Sequence, residues 1–291
     1  MRYGIPDFRL QPDPYITVDH EMWKIDGFIA PGRSFEDMVR AYYVLTPESP
    51  PELHSRYIQA MAAATARGAG MLRKLRARYV DLKIENLLDV GCGTGGMSIA
   101  AAREGMRVVG VDVALRWLVM GQQRLIEEGV DVPLICANAE SLPFRVETFD
   151  AVVADAVIEH VRSPERMRDE ALRVLEHGGA FFFTTNNRFS ILPEPHVRIW
   201  GFGLMPRVWM EGVATRVRQT PYKARLLSRI ELSRIFRGVA DVMLPWFEPG
   251  ELGQRNERIR QTWDQMRRFP PFRALFGFVV PQYFIIGRRD V

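Results

Sequence analysis

A chain of 291 residues allows one large domain or two small ones, with ample core in either case. A hydrophobic content of 47% with 25% charged residues excludes a disordered chain, and two cysteines, Cys92 and Cys136, exclude a disulfide-stapled scaffold. A formal net charge of +4 is too modest for a chain devoted to gripping nucleic acid.

The first residues, Met1 to Asp7, lack the apolar core of a secretory signal, and no run reaches the ~18 apolar residues of a membrane span. Phe276 to Ile286 comes nearest but holds Pro281 and Gln282. A cytoplasmic protein with reduced thiols is expected. Pro6, Pro12, Pro14, Pro31 and Pro47 interrupt the first 50 residues, which predicts an irregular arm. One short helix is expected from Ser34 to Tyr43, capped by Ser34, with Phe35, Met38, Val39 and Tyr42 on one face. Apolar positions at helical spacing then predict a single long helix from Glu52 to about Arg78.

From there the pattern alternates. Strand-like runs Asn86–Val90, Arg107–Val111, Pro133–Ala137, Phe149–Ala154 and Ala180–Thr185 are interleaved with helical stretches Met97–Glu104, Ala114–Glu128 and Pro164–Glu176. Near-continuous apolar strands between amphipathic helices predict an α/β fold, a doubly wound and mostly parallel sheet covered on both faces. Right-handed crossovers place the C-terminal strand ends, and with them a ligand, along one edge. After Asn187 the alternation stops. From Arg188 to Arg237 ten Lys and Arg stand against three Glu, so this segment carries +7. A helix near Ser228–Phe236, a strand-like run Val239–Trp246, a polar helix from about Glu251 to Arg268 and a last strand Gln282–Arg288 follow.

The stretch Leu87-Leu88-Asp89-Val90-Gly91-Cys92-Gly93-Thr94-Gly95-Gly96 organises the core. Glycines let the backbone turn sharply and approach a ligand, and the helix start beyond them favours an anionic group. Gly91, Gly93 and Gly96 also satisfy the G-x-G-x-x-G dinucleotide pattern, a weak match by itself. Under either reading Asp112, closing the second strand, accepts from a ribose diol. Two features separate the readings. Asp89 would repel a pyrophosphate but suits a ligand with an ammonium group. Asn138 to Phe144, after the third strand, offers a polar loop to an adenine edge.

Asp89-Val90-Gly91-Cys92-Gly93-Thr94-Gly95 resembles motif I of the class I S-adenosylmethionine-dependent methyltransferases. The rest of the set follows in order: Val109–Asp112, Ala139–Phe144, Phe149–Val153, Glu159-His160-Val161 and Leu175–Gly179. It spans roughly residues 80–187 and is most similar to the type 11 subgroup, which includes ubiquinone and menaquinone biosynthesis methyltransferases and many sugar and natural-product methyltransferases. Two positions depart from the pattern: Asn138 stands where many members have Asp, and His177 where Pro is usual before Gly-Gly. The resemblance implies a seven-stranded Rossmann-like sheet, with S-adenosylmethionine as methyl donor and S-adenosylhomocysteine as product. It implies that Gly91, Cys92, Gly93 and Gly95 let the backbone approach the methionine part and that Asp89 orients its amino group. It further implies that Asp112 and Val113 hold the ribose, that Asn138 and Ala139 meet the adenine, and that Asp155 and Ala156 lie near the sulfonium.

In-line displacement from a sulfonium needs alignment and exclusion of water, and a hydroxyl acceptor also needs a general base. His160, Glu159, Glu194 and His196 are the candidates for the base, and His160, Glu194 and His196 are assigned to catalysis. Residues 187–209 leave the fifth strand at the ligand edge and are expected to form a lid, with Glu194 and His196 in an extended segment around Pro195. Arg188, Arg198, Trp200 and Arg207 are the candidate acceptor contacts, because the basic excess favours an anionic acceptor held by Arg–phosphate forks.

Four functions are weighed. The first is methyl transfer to a hydroxyl of a small or carrier-linked, anionic acceptor of the sugar, glycan or natural-product type. The second is action on a quinone or other lipid, with peripheral membrane contact through the basic aromatic segment 188–237. The third is nucleic-acid methylation, against which the fourth strand ends in Asp155-Ala156-Val157-Ile158 rather than an Asn-Pro-Pro-Tyr-type motif. The fourth is a non-catalytic S-adenosylmethionine binder. Neither a metal nor a nucleic-acid partner is expected. The expected organisation is an N-terminal arm with helices (1–80) covering the cofactor site. A methyltransferase domain (81–291) follows, with insertions at about 187–227 and 248–276.

Overall fold

Leu87 packs on one face of the first strand and Leu88 and Val90 on the other, all buried, as a strand inside a two-faced sheet requires. The computed structural model describes every residue except 47, 48, 50, 191, 220, 240, 247–276 and 290–291. Numbered in chain order, the strands are β1 (Asn86–Val90), β2 (Arg107–Asp112), β3 (Leu134–Cys136), β4 (Phe149–Asp155), β5 (Leu175–Asn186), β6 (Val242–Trp246) and β7 (Gln282–Arg288). They form one sheet in the order β3-β2-β1-β4-β5-β7-β6. The pairs from β3 to β5 are parallel, and β7 runs antiparallel to both β5 and β6. Three consecutive phenylalanines of β5 serve both faces: Phe182 joins one cluster, Phe181 and Phe183 the other.

One face is covered by α1 (Val18–Phe28), α2 (Phe35–Val44), α4 (Ala64–Arg78), α5 (Gly96–Arg103) and α6 (Leu115–Glu128), through Ile25, Met38, Leu72, Ile99 and Leu115. The other is covered by α7 (Pro164–Val174) and α9 (Arg229–Ile235), through Met167, Val174, Leu232 and Ile235. The helices α3 (Pro51–Ala62) and α8 (Arg207–Arg218) complete the described elements. Residues after β5 form a separate small cluster of Val197, Phe202, Met210, Ala214, Tyr222 and Ala224.

The structure departs from the sequence reading in four places. Helix α1 lies inside the arm expected to be irregular; two of its four buried residues, Glu21 and Lys24, are charged and blur the apolar stripe. The single helix expected from Glu52 breaks at Ala63 into α3 and α4. There the Arg124 guanidinium donates to the carbonyls of Met61 (3.1 Å) and Ala62 (3.4 Å), drawing them away from a continuous helix. Strand β5 begins five residues earlier than expected, because Leu175 pairs with Phe149 of β4 across an irregularity. Helix α8 falls within the insertion expected at about 187–227, where no helix was expected. The polar helix near 251–268 and the insertion at 248–276 lie outside the described residues.

Candidate active site

The parallel strands bring Gly91, Asp112, Asn138 and Asp155 to one edge. The chain leaves β1 at Gly91 with φ +69°, and a Cβ there would lie 2.2 Å from Val157 Cγ2. Both backbone and neighbour therefore demand glycine. Two cavities open beside this turn, of ≈ 240 Å³ and ≈ 330 Å³, and share Gly91, Trp117 and Asp155. The first is lined by Asp112, Val113, Asn138, Ala139, Ala156 and His160, among others. The second is lined by Asp89, Cys92 and Gly93, with Tyr57 and Arg67 opposite. Gly93 has open space where a Cβ would stand, whereas Gly95 caps α5 at φ +77° and lines neither cavity.

Asp112 accepts from the backbone N–H of Gly93 (2.9 Å) and of Ala114 (2.8 Å), which aims its carboxylate across the turn. Burial pushes it up to about 6 against the pull of those two N–H groups. Asp89 accepts from Ser98 Oγ at 2.6 Å. Burial pushes it up to about 7, with the charges of Asp155 and Asp112 adding to the shift over the opposing Ser98 bond. A buried carboxyl of this kind in a cavity wall is a seat for a cation. Cys92 is buried beside it and its thiol is raised well above the ordinary range, so it stays protonated. One site thus offers an acceptor for a diol, a seat for an ammonium group and open space at Gly93. These features fit a nucleoside joined to an amino acid.

The N-terminal arm closes the first cavity. Phe8 N–H donates to the Cys136 carbonyl and Cys136 N–H to the Pro6 carbonyl, both at 2.8 Å, so the arm runs along the β3 edge. Arg9 bonds Asp7, Glu21 and the Val113 carbonyl, and Arg116 bonds Asp13 (2.6 Å) and Glu21 (3.0 Å). Asp13, Glu21 and Arg116 are buried, and removing one partner of such a set costs about 3–5 kcal/mol. Residues 11–15 line the cavity as a result.

Three of the four candidate bases meet, while Glu159 accepts from Thr185 (3.0 Å) and Asn186 (2.9 Å). Glu194 Oε1 lies 2.5 Å from His196 Nδ1, His196 Nε2 lies 3.2 Å from His160 Nε2, and His160 Nδ1 lies 2.6 Å from the Tyr15 hydroxyl. Glu194 also accepts from Tyr222 OH (3.2 Å) and from the N–H groups of His196 and Val197 (2.7 Å each). Tyr57 OH donates to the His196 carbonyl at 3.0 Å. Burial, then the charge of His196, lowers His160 to about 3, so it is neutral. Burial alone would lower His196 too, but the bond to Glu194 and the charges of Glu194 and Glu159 hold it above its ordinary value. The Tyr15 hydroxyl is pushed up by burial and by Asp13, Glu159 and Glu194. Glu194 and His196 do not sit in an extended segment. The chain closes a turn there, with Glu194 N–H bonded to the Ile199 carbonyl, Arg198 N–H bonded to the Glu194 carbonyl and Arg198 at φ +55°.

Several of the expected contact residues have partners within the protein. The Asn138 amide is occupied by the arm: Oδ1 accepts from Leu10 N–H (2.8 Å) and Gln11 N–H (3.1 Å), and Nδ2 donates to the Gln11 carbonyl (3.0 Å). Arg188 donates to the carbonyls of Gly203 (2.9 Å) and Met205 (3.3 Å) and stacks on Phe189. Arg207 bonds the Leu226 carbonyl and Glu231. Both arginines fasten the insertion to itself. Arg198 shapes the turn after Glu194, and Trp200 is exposed. None of these four lines either cavity.

The sequence reading missed Tyr15, Tyr57, Arg67 and Tyr222. Arg67 donates to the Ala60 carbonyl (2.7 Å) and to Asp155 (3.4 Å) from the wall of the second cavity. Pro12 and Pro14, stiffening the approach to Tyr15, were the one available signal.

Residues 88–183 match a family model described as a methyltransferase domain. The chain carries a class I methyltransferase domain. Over 122 residues it is 35% identical to the ubiquinone biosynthesis O-methyltransferase of Pseudomonas entomophila, covering 40% of this chain and 53% of that one. Over 147 residues it is 30% identical to the enzyme of that name from Coxiella burnetii, covering 47% and 61%. The chain thus spans about half to three fifths of the length of the curated relatives it matches. Among solved structures, the Haemonchus contortus phosphoethanolamine N-methyltransferase 2 in complex with S-adenosyl-L-methionine aligns with a TM-score of 0.53 at 19% identity, over 78% of this chain and 53% of that one. Geranyl diphosphate C-methyltransferase from Streptomyces coelicolor aligns at 0.51 and 18%, over 91% and 87%. These likenesses show that the methyltransferase domain has the fold of that class.

Proposed function

We propose that this chain is an S-adenosylmethionine-dependent O-methyltransferase acting on the hydroxyl of a small or lipid-borne aromatic molecule. The observation that carries this reading is the chain Glu194–His196–His160–Tyr15, which ends at the wall of the first cavity. When bound, S-adenosylmethionine supplies a methyl group on a sulfonium whose departure leaves a neutral thioether. Asp112 takes the ribose hydroxyls, Asp89 the amino group, and Arg67 with the N–H groups at the start of α5 the carboxylate.

A hydroxyl acceptor must lose a proton, and the chain provides a path for it. His196 Nδ1–H donates to Glu194, His160 Nε2–H donates to His196 Nε2, and Tyr15 O–H donates to His160 Nδ1. As the acceptor oxygen gives its proton to the Tyr15 oxygen, the Tyr15 proton passes to His160 Nδ1. The His160 Nε2 proton passes to His196, and the positive charge comes to rest on an imidazolium beside Glu194.

The acceptor class is supported by two observations. Arg188 and Arg207 are engaged within the insertion, so the anionic, sugar-type acceptor loses the forks it rested on. Tyr15, Tyr57 and Trp117 line the cavities instead, and the curated relatives are named for ubiquinone biosynthesis. Calorimetry with S-adenosylmethionine, followed by transfer of labelled methyl to a panel of phenols, quinol precursors and sugar phosphates, tests both halves. No binding by the folded protein ends the cofactor reading; labelling of sugar phosphates alone replaces the acceptor class.

A further inference from the structure

Helix α8 is built inside out for a surface helix. At 100° per residue, Met210 and Ala214 share the side that packs against Val197, Phe202 and Tyr222. Val208, Gly212 and Arg216 fall on the opposite side, with Trp209 beside them. Instead of the charged face expected there, Val208 is 85% and Trp209 63% exposed. The turn before the helix adds Leu204 at 72% and Trp200 at 69%. Single exposed apolar residues are ordinary, but four large ones within ten residues, two of them tryptophan, mark an interaction surface.

The occupant is indicated by charge and by composition. The segment 188–237 carries +7 against +4 for the entire chain. Arg216, on the same side of α8, has no ion-pair partner among the described residues, and Arg225 is half-exposed. Tryptophan beside arginine suits the boundary between acyl chains and headgroups, and basic residues suit an anionic leaflet.

We propose that Trp200, Leu204, Val208, Trp209 and Arg216 dock this protein on an anionic lipid surface. The same insertion carries Glu194, His196 and Tyr222, so docking holds the segment that anchors the proton path at the membrane boundary, from which a lipid-borne hydroxyl approaches Tyr15. The inference deepens the acceptor class proposed above, but vesicle binding is read without turnover, so the two can fail separately.

The test is co-sedimentation of the full chain with vesicles of phosphatidylcholine, with and without phosphatidylglycerol. Binding is expected only with phosphatidylglycerol, weakened by salt. A Leu204→Ser, Val208→Ser, Trp209→Ser variant is expected to lose about tenfold or more in partitioning, with its melting temperature and its turnover of a soluble acceptor unchanged. Should that variant not fold, fluorescence of the wild-type chain decides: brominated lipid is expected to quench emission that is absent in Trp209→Phe. Equal binding by wild type and variant, or no binding by either, overturns the proposal. So does a change of sedimentation coefficient in the vesicle-free variant, which would assign the face to a second copy. Trp209 emission already blue-shifted without vesicles would also overturn it, because the face would then be covered by protein.

Discussion

The two halves of the candidate site are built in opposite ways. The cofactor half, from Asp89 to Asp155, draws on strand ends of one continuous α/β stretch, and Asp89 and Asp112 are aimed by N–H groups or a hydroxyl no more than 19 residues away. The acceptor half joins Tyr15 of the arm, His160 after β4, and Glu194, His196 and Tyr222 of the insertion, with 145 residues separating Tyr15 from His160. A local half tolerates change elsewhere in the chain; a half assembled from remote segments depends on each of them. On the proposed reading, binding of the donor and removal of the acceptor proton are separable.

The largest effect that would sharpen this contrast comes from His160→Ala or His196→Ala. Either is expected to lower kcat by about 10²–10⁴-fold while leaving the dissociation constant for S-adenosylmethionine within error, as read by labelled-methyl transfer and calorimetry. A loss of donor binding instead would merge the two halves. Next, Asp112→Asn should raise that dissociation constant by about 10–100-fold, the worth of a charge-assisted hydrogen bond, with kcat at saturation retained.

Two pH dependences should separate in the same sense. His196 must be unprotonated to accept a proton, and its pKa is raised above the ordinary histidine value. Activity is therefore present above that raised pKa and lost as pH falls through it. Glu194→Gln removes the main raising cause and should move this acidic limb to lower pH while lowering kcat. Donor affinity follows a different group. Asp89, raised to about 7, is partly protonated near neutrality in the free protein and must ionise to hold an ammonium group. Affinity should therefore rise with pH up to about 7, with protons released on binding. Calorimetry in buffers of differing ionisation enthalpy reads this, and proton uptake would contradict it.

The smallest effect concerns Arg188→Ala. It removes two bonds to carbonyls and should cost about 1–3 kcal/mol of stability in a denaturant titration, with the KM for the acceptor unchanged. A raised KM would return this arginine to the binding site.

What was legible in the sequence follows the same divide. Asn86–Val90 and Gln282–Arg288 are strands with the expected bounds, and Ser34 caps α2 as its spacing indicated. In each case periodicity and neighbouring residues decide the outcome. His160, Glu194 and His196 were recognised as chemistry-bearing residues, yet their order in a single chain of hydrogen bonds was not. Tyr15 carried no signal beyond two preceding prolines. Arg188 and Arg207 read as free cations because a sequence does not reveal which carbonyls a fold leaves without partners. Asn138, expected at the adenine edge, lines the first cavity and also holds the arm.

The sequence by itself determined the doubly wound sheet, the glycine turn and the carboxylates at the strand ends, because apolar periodicity and φ-restricted turns are local properties. Only the tertiary structure decided that the arm closes the first cavity, that α1 buries Glu21 against Arg9 and Arg116, and that two histidines lie within hydrogen-bond distance of each other. A buried charge or imidazole is stable only beside its partner, and that partner comes from a distant part of the chain.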